Sequence, residues 1–209
     1  MSAIGKGIKL LASEPFRLVS HLLCYLRGLA MFGKLVYVGP QTRIRGRKNI
    51  HFGKGVKILY SAKIDAYNGK IFFGDNVTLG DRDVTLIASQ AIIKLFDQCY
   101  ISGYTHIAAY DGGDIEIGAD SMLGPNSLVI SQNHGFRRRD ILIRDQHMEA
   151  KSVVIGNDVW VGAYSAVLPG ASISNGAVIG AHSVITRKTR VEEFKVYGGN
   201  PAKLLAERT

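Results

Sequence analysis

The chain of 209 residues has few cysteines, few prolines and no long uninterrupted apolar run. Its two cysteines exclude a fold held together by disulfides, so Cys24 and Cys99 are expected to be buried free thiols in a reducing compartment. No segment reaches the ~18–20 uninterrupted apolar residues of a transmembrane helix, because polar residues interrupt the leucine-rich stretch 16–32. That stretch begins too late and is too broken for a secretory signal. We therefore expect a cytoplasmic protein, at most peripheral on the inner face of the cytoplasmic membrane.

Acidic residues are nearly missing from the first 60 residues. This segment holds 11 Lys and Arg and one acid, Glu14, whereas residues 61–209 hold 15 basic and 16 acidic residues. The formal net charge of +9 therefore belongs to the N-terminal end. Such an asymmetry indicates an anionic partner at that end: a membrane surface, a phosphate-bearing carrier or a nucleic acid. A solvated basic face without a partner is the alternative.

Glycine is abundant, with 24 residues, and it recurs with a period of six. An aliphatic residue opens each hexad, and a small or β-branched residue fills its fifth place. The opening residues are Ile155, Val161, Val167, Ile173, Ile179 and Ile185, and the fifth places are Val159, Ser165, Ala171, Ala177 and Ser183. A period of six excludes an α-helix and is typical of a parallel β-helix, with one short strand and one turn per hexad. We predict inward aliphatic residues, small residues at the corners, and glycines that supply positive φ at the bends.

The repeat divides the chain into three parts. We predict an amphipathic helical segment over 1–37, a hexapeptide-repeat β-helix domain over 38–190 and a C-terminal extension over 191–209. Within the repeat, the polar and aperiodic stretch 131–152 is expected to leave the β-helix as a loop, and long loops on rigid scaffolds commonly carry function. Roughly seven coils at a strand spacing of ~4.8 Å give a prism roughly 34 Å tall.

Leucines spaced three and four residues apart predict an amphipathic helix over about residues 14–32. Ser13 or Glu14 can cap it, and Pro15 suits its first turn. The cations of residues 14–48 surround this helix, which favours a peripheral contact with an anionic membrane. The other interpretation is a helix packed on the end of the β-helix, where it would cover the edge of the first coil. The two interpretations are compatible.

Four motifs on this repeat carry a resemblance to a known family. They are Gly124-Pro125-Asn126, Gln132-Asn133-His134, Ile155-Gly156-Asn157-Asp158-Val159-Trp160-Val161-Gly162 and Tyr197-Gly198-Gly199-Asn200-Pro201-Ala202-Lys203. In this order the chain resembles the hexapeptide-repeat acetyltransferases of the xenobiotic, maltose and galactoside acetyltransferase type, over about residues 50–205. The branch that looks most similar acetylates sugars of lipopolysaccharide, capsule or exopolysaccharide. The resemblance implies an all-β fold with a left-handed parallel β-helix, a homotrimer, acetyl-CoA as co-substrate and no metal.

The resemblance also implies roles for individual residues. His134 takes the position of the general base, and a free imidazole with a pKa of about 6.5 can accept the proton that a sugar hydroxyl loses on attacking a thioester. Trp160 takes the place beside the cofactor arm, and Asn133 lies next to the base. The coenzyme A groove between adjacent subunits would be lined by Ala163, Ala181, Thr186, Arg187, Lys188 and Lys203. Candidates for acceptor binding are Tyr104, His106, Asp111 and Arg137, the last being the first of three consecutive arginines that suit a phosphate or carboxylate.

The first functional hypothesis is acetylation of a saccharide hydroxyl during assembly of a cell-surface polysaccharide. N-acetylation of a nucleotide-linked amino sugar on the same fold is the alternative. A zinc enzyme of the carbonic anhydrase kind is remote, because the six histidines show no pair with a short ligand spacing. A non-catalytic scaffold or nucleic-acid binder is also remote, because the repeat is near neutral and lacks an aromatic-rich basic motif. We therefore expect a homotrimer with a saccharide or sugar-carrier acceptor and no nucleic acid.

Overall fold

The computed structural model describes residues 14–209, so residues 1–13, including the proposed cap Ser13, lie outside the described part. Helix α1 spans Glu14–Phe32, as predicted. The strands are β1 (Tyr37–Val38), β2 (Arg43–Arg45), β3 (Ile50–Phe52), β4 (Lys57–Tyr60), β5 (Lys63–Asp65), β6 (Lys70–Phe73), β7 (Thr78–Arg82), β8 (Thr85–Ser89), β9 (Ile92–Leu95), β10 (Tyr100–Ile101), β11 (His106–Tyr110), β12 (Ile115–Ile117), β13 (Met122–Leu123), β14 (Leu128–Ile130), β15 (Gln132–His134), β16 (Met148–Ala150), β17 (Val153–Ile155), β18 (Trp160–Val161), β19 (Ala166–Val167), β20 (Ser172–Ile173), β21 (Val178–Ile179), β22 (Val184–Ile185), β23 (Lys195–Gly198) and β24 (Lys203–Glu207). Short 3₁₀ helices span Arg47–Asn49 and Ile143–Asp145.

Three sheets form the faces of a triangular prism. Sheet A has the order β1-β4-β7-β10-β13-β18-β21-β23-β24, sheet B the order β2-β5-β8-β11-β14-β19-β22, and sheet C the order β20-β17-β12-β9-β6-β3. Successive coils add one strand to each sheet, and these strands pair in parallel, as β8, β11 and β14 do in sheet B. The seven strands of sheet B correspond to seven coils. The predicted parallel β-helix is confirmed.

The aliphatic residues of the repeat stack in register inside the prism. Ile107 pairs with Val129, Val129 with Val167, and Val167 with Ile185, and all four side chains are fully buried. The small residues at the fifth places, such as Ala171, are buried as well. Because each coil places its aliphatic side chains over those of the coil before it, one apolar core runs through the prism.

The glycines of the repeat fall into two groups, and one of them has a role that was not predicted. Gly170 and Gly176 have positive φ at bends between strands, as predicted, whereas Gly118, Gly156 and Gly162 do not, so for these three the prediction is wrong. A Cβ built on Gly162 would lie 2.5 Å from the backbone nitrogen of Ala181 in the next coil. These glycines are needed because neighbouring coils approach too closely for a side chain.

Among the described residues, most positions with positive φ are occupied by residues other than glycine. Fourteen described non-glycine residues have positive φ, among them Asp120, Asn126 and Asp158. Short polar side chains of this kind tolerate the left-handed region because they can form local hydrogen bonds. Side chains also link successive coils, as where Asn175 Oδ1 accepts a 2.8 Å hydrogen bond from the backbone nitrogen of Asn157. The corners are therefore held by polar contacts between coils.

Two segments depart from the coil. Between β14 and β17 the chain forms the separate antiparallel hairpin β15–β16, within the polar stretch 131–152. In the C-terminal stretch 191–209, β23 pairs in parallel with β21, and β24 pairs in antiparallel with β23. Sheet A is thus two strands longer than sheet B.

Helix α1 packs on the first coil. Tyr25 meets Tyr37 edge-on at a ring-centroid distance of 5.3 Å, and Phe32 meets Phe52 at 4.7 Å. Arg27 donates hydrogen bonds of 2.9 and 3.0 Å to two backbone carbonyls of the same coil. Within residues 14–209, none of the helices combines the length and the apolarity needed to cross a membrane.

Candidate active site

The predicted site residues are distributed over two corners of the prism, which sheet B separates. We call the corner between sheets A and B corner A–B, and it contains residues 103–104, 125–126, 163–164 and 181–182 in successive coils. We call the corner between sheets B and C corner B–C, and it contains residues 111–112, 168–169 and 186–187. The polar stretch 131–152, which we call the excursion, also begins at this corner.

The excursion leaves the prism from corner B–C, and its first strand, β15, ends at His134. β15 pairs with β16, so that Asn133 lies opposite Glu149. The backbone nitrogen of Lys151 donates a 2.7 Å hydrogen bond to the carbonyl of Ser131, which closes the base of the excursion. The exposed His134 is therefore carried by a paired strand beside the prism.

Two further contacts fix this strand. The residue after His134 is Gly135, and a Cβ there would lie 2.5 Å from the carbonyl oxygen of His147 on the opposite side of the hairpin. The side-chain amide of Gln132 donates a short hydrogen bond to Asp111 Oδ2. Asp111, predicted to bind the acceptor, thus contacts the strand that carries His134.

A cavity of about 210 Å³ lies between the hairpin and corner B–C. Five predicted residues line it: Asn133, His134, Arg137, Thr186 and Arg187. Five that the sequence analysis did not single out complete it: Phe136, Glu149, Lys151, Leu168 and Pro169. The structure therefore brings the predicted base together with two of the residues predicted to bind coenzyme A.

Some of the cavity residues that were not predicted could have been identified from the sequence, and others could not. Leu168 and Pro169 precede Thr186 and Arg187 by 18 residues, which is one coil, so the repeat itself could have identified them. Glu149 and Lys151 reach the cavity because β16 pairs with β15. The polar stretch has no periodicity that would reveal that pairing.

Positive charge dominates the cavity. Arg137, Lys151 and Arg187 line it against one carboxylate, that of Glu149. Charges of one sign gathered in a concave site attract a ligand group of the opposite sign. The cavity therefore suits a phosphate or carboxylate of a bound molecule.

Arg137 and Arg138, the first two of the three consecutive arginines, have different surroundings. Arg137 lines the cavity. Arg138 is ion-paired with Asp140, with 3.0 Å between Nε and Oδ1, and this hydrogen bond holds the pKa of that exposed carboxyl below its usual value. The backbone of Arg138 also exchanges hydrogen bonds with the side chain of Gln146. Of the arginine run, Arg137 is therefore the residue that lines the cavity, whereas Arg138 is engaged with Asp140 and Gln146.

A second group of predicted residues lies at corner A–B and on the adjoining face of sheet A. It consists of Tyr104, Trp160, Ala163 and Ala181. Trp160 is 51% exposed and Tyr104 54%. Tyr164 and His182, which the sequence analysis did not single out, stack at the same corner with ring centroids 5.0 Å apart. None of these four predicted residues lines the cavity that contains His134, and strands of sheet B lie between corner A–B and corner B–C.

Three predicted residues lie outside both groups. His106 is half-buried on sheet B, where burial and, to a lesser extent, the cation of Lys63 lower its pKa. Lys188 is exposed, and its backbone nitrogen donates to Thr186 Oγ1 at 3.2 Å. Lys203 is exposed at the start of β24. None of the three lines the cavity that contains the predicted base.

Both cysteines are free. Cys99 is fully buried, its Sγ donates to the carbonyl of Gly118 at 3.1 Å, and burial raises the pKa of the thiol to about 12. Cys24 is half-buried in α1, so the prediction that both are buried holds for Cys99 alone. Across residues 14–209, no three His, Cys, Asp or Glu side chains are grouped closely enough to hold a metal ion.

Comparisons with known proteins agree with this fold. Residues 152–187 match the family described as "Bacterial transferase hexapeptide (six repeats)". Over 170 residues the chain is 31% identical to the "Putative lipopolysaccharide biosynthesis O-acetyl transferase WbbJ" of Escherichia coli (strain K12), covering 78% of this chain and 74% of that protein. Over 64 residues it is 47% identical to a chloramphenicol acetyltransferase of Klebsiella aerogenes, covering 31% of this chain and 30% of that protein.

A solved structure has the same fold. A variant of AntD, an N-acyltransferase from Bacillus cereus in complex with dTDP and coenzyme A, superposes with a TM-score of 0.66 at 22% identity, covering 76% of this chain and 83% of that chain. The Escherichia coli relative adds sequence identity over most of both chains. On the hexapeptide repeat, the seven-coil β-helix and these similarities, the chain belongs to the hexapeptide-repeat acetyltransferases.

Proposed function

We propose that this acetyltransferase moves an acetyl group from acetyl-CoA to a hydroxyl of a saccharide in the biosynthesis of lipopolysaccharide, capsule or exopolysaccharide. The observation that carries the proposal is the cavity that joins His134 to Thr186 and Arg187. A hydroxyl acceptor is supported by the Escherichia coli relative, whose name specifies O-acetyl transfer in lipopolysaccharide biosynthesis.

His134 acts as the general base. Its imidazole takes the proton of the sugar hydroxyl while the hydroxyl oxygen attacks the thioester carbonyl carbon. The new C–O bond forms, the C–S bond breaks, and the proton passes to the departing thiolate of coenzyme A. The attack is direct, because Cys99 is buried and hydrogen-bonded and Cys24 lies in α1 on the first coil, four coils from His134.

The charges of the cavity fit acetyl-CoA. Arg187 can meet its phosphate-bearing part, since phosphates form stronger, charge-assisted hydrogen bonds with cations, and Arg137 remains the predicted contact of the acceptor. The hydroxyl of Thr186 lies 3.3 Å from that of Thr189 and is half-buried at the same corner. It can therefore offer a fixed polar contact to the amide portion of the molecule.

We further infer that the active site is shared between the subunits of a homotrimer. Ala163 and Ala181 lie at corner A–B and Trp160 on the adjoining face of sheet A, and strands of sheet B separate all three from corner B–C. A cyclic trimer repeats one heterologous contact, so corner B–C of one subunit can face corner A–B of the next. The exposed indole of Trp160 would then form an apolar wall beside the cavity of the neighbouring subunit.

N-acetylation of a nucleotide-linked amino sugar is the alternative on the same fold and with the same donor. An amine acceptor also needs to lose a proton, and the phosphates of a nucleotide also suit a positively charged cavity. One assay therefore has to test both acceptor classes.

The test is release of free coenzyme A thiol from acetyl-CoA with a panel of polymeric glycans, lipid-linked glycans and nucleotide amino sugars. Wild type is compared with His134→Ala and with the matched control His147→Ala, which removes an exposed histidine of the same excursion that does not line the cavity. We expect release with a hydroxyl acceptor and a loss of about 10²–10⁴-fold in His134→Ala, the usual effect of removing a general base. His147→Ala should keep its rate, and both variants should still bind coenzyme A.

The other outcomes have defined meanings. Release with amino sugars alone would replace the proposal by the N-acetylation alternative. An unchanged rate in His134→Ala would remove this residue from the mechanism. Failure of wild type to bind coenzyme A would refute the proposed donor.

A further inference from the structure

Helix α1 turns its apolar face away from the protein. Six side chains of one face are 46–75% exposed: Leu18, Val19, Leu22, Leu23, Leu26 and Leu29. At 3.6 residues per turn they cover an arc of about 140° of the helix surface. Leu35, just after the helix, is 68% exposed. An exposed apolar patch of this size on a globular protein marks an interaction surface.

The opposite face of α1 packs on the first coil. The helix therefore cannot rotate about its axis to bury its leucines without breaking these contacts. Gly28 is buried against the first coil so tightly that a Cβ there would lie 1.9 Å from the carbonyl oxygen of Val36. Arg27 is bonded to two carbonyls of that coil, and Phe32 packs on Phe52. The leucine face is therefore held outward by the contacts that fix the helix.

The surroundings of this face are cationic. Residues 15–64 contain ten Lys and Arg and no Asp or Glu. Arg43, Arg47 and Lys48 are exposed on the first coil, and Lys34 is exposed just after the helix. Arg45 is partly neutralised by Asp65, at 3.3 Å. The end of the prism that carries the leucines thus combines an apolar surface with unneutralised positive charge.

We propose that the leucine face of α1 docks this acetyltransferase on an anionic lipid bilayer, with the leucines in the headgroup region and the cations against lipid phosphates. A helix with a strongly apolar face beside Lys and Arg has the composition of an interfacial anchor, and each basic residue near an anionic surface adds to binding. A second copy of the chain is a poorer occupant, because it would bring the same cations together.

The docked orientation leaves the proposed active site free. Sheet B has four strand steps between β2 in the first coil and β14, which leads to His134. At ~4.8 Å per step the site stands roughly 19 Å above the coil on which α1 lies. The bilayer contact therefore does not cover the cavity, and a glycan attached to a membrane lipid could extend into it.

The test measures sedimentation of the full chain with vesicles of phosphatidylcholine alone or mixed with about one third phosphatidylglycerol, at low and high salt. The variant Leu22→Gln/Leu26→Gln removes two leucines from the exposed face. Its control, Leu204→Gln/Leu205→Gln, replaces two exposed leucines of β24 at the other end of the prism. The charge variant Arg43→Gln/Arg47→Gln/Lys48→Gln neutralises three exposed cations, and circular dichroism and gel filtration follow fold and assembly in every case.

We expect wild type to bind the anionic vesicles at least tenfold more tightly than phosphatidylcholine vesicles, and less tightly at high salt. The α1 variant and the charge variant should each lose at least tenfold in binding, while the β24 variant should bind as wild type does. Absence of binding by wild type, or full binding by the α1 variant, would overturn the proposal. A change of assembly state in the α1 variant with unchanged vesicle binding would assign the face to contacts between copies instead.

A second measurement does not depend on losing an interaction. Trp160 is the only tryptophan of the chain, so Leu26→Trp in a Trp160→Phe background gives one indole on the leucine face. Its emission should shift to shorter wavelength with anionic vesicles and be quenched by brominated lipid. An unshifted emission would contradict insertion. Neither experiment uses acetyl-CoA or an acceptor, so their outcome is independent of the proposed reaction.

Discussion

Replacing Gly162 by alanine tests how closely neighbouring coils approach. The added methyl group would lie 2.5 Å from the backbone nitrogen of Ala181 and 2.8 Å from the carbonyl carbon of Gly180 and the carbonyl oxygen of Ile179. All three neighbours are backbone atoms, so no side-chain rotation can relieve the contact. The coils must separate locally by about 0.9 Å to extend 2.5 Å to an ordinary 3.4 Å contact.

The expected free-energy change has two parts of opposite sign. Forcing an extra methyl group into a packed interior costs about 1–3 kcal/mol. Alanine in place of glycine also restricts the unfolded chain, which stabilises the fold by about 0.4–1 kcal/mol where the backbone angles allow it. The net expectation for Gly162→Ala is a loss of about 1–2 kcal/mol. In a chain of this size that corresponds to a decrease in Tm of about 2–8 °C.

Gly180 provides the matched control. It occupies the same place in the hexad one coil later, and neither glycine has positive φ. The nearest atom to a Cβ on Gly180 is the carbonyl oxygen of Tyr197 at 3.5 Å, an ordinary contact. Gly180→Ala should therefore leave the Tm unchanged or raise it slightly.

Both variants are compared with wild type by thermal and denaturant unfolding, followed by circular dichroism at one protein concentration. Equal effects of the two substitutions would refute the reasoning. The difference between a 2.5 Å and a 3.5 Å contact would then have no energetic consequence, and the glycines of the repeat would need another explanation.

Three further predictions concern the site and the core. Arg187→Ala should raise the KM for acetyl-CoA about tenfold, because a charge-assisted hydrogen bond is lost. Lys188→Ala, which lies outside the cavity, should leave the KM unchanged. Equal KM values of the two variants in steady-state assays would count against the phosphate role of Arg187. A second experiment mixes subunits that carry His134→Ala with subunits that carry Trp160→Ala, and then unfolds and reassembles them. If each site is shared between neighbours, the mixture should regain up to about a quarter of wild-type activity. Activity no higher than that of the separate variants would contradict a shared site. The raised pKa of Cys99, about 12, keeps its thiol protonated near neutral pH, so native protein should resist iodoacetamide at this position by mass spectrometry until it is unfolded; rapid native labelling would show that this residue is not buried.

Much of the architecture follows from local pattern. The strict spacing from Ile155 to Ile185 determines the β-helix, because a period of six with one inward aliphatic residue per hexad is compatible with three short strands per coil and with no α-helix. The bounds of α1 also follow from the sequence, since a proline in the first turn and leucines three and four residues apart are local helix signals.

The distribution of the candidate site was decided by the tertiary structure. One cavity contains His134, Thr186 and Arg187, because the β15–β16 pairing folds the excursion back onto corner B–C. The stretch 131–152 has no periodicity from which that pairing could be predicted. Trp160 lies on sheet A and Ala163 at corner A–B, and strands of sheet B separate both of them from corner B–C. Residues of one coil therefore lie at different corners of the prism, and they do not all belong to the same site.

By itself, the sequence determined the repeat, the inward core, the helix and the basic N-terminal end, because each depends on spacing and composition along the chain. Only the tertiary structure decided which way the helix faces and why the repeat glycines are there. Gly28 and the aromatic residues of α1 fit the first coil, so the leucines are left outside. Gly162 faces a backbone 18 residues away in sequence, and such a contact exists only once the coils are stacked.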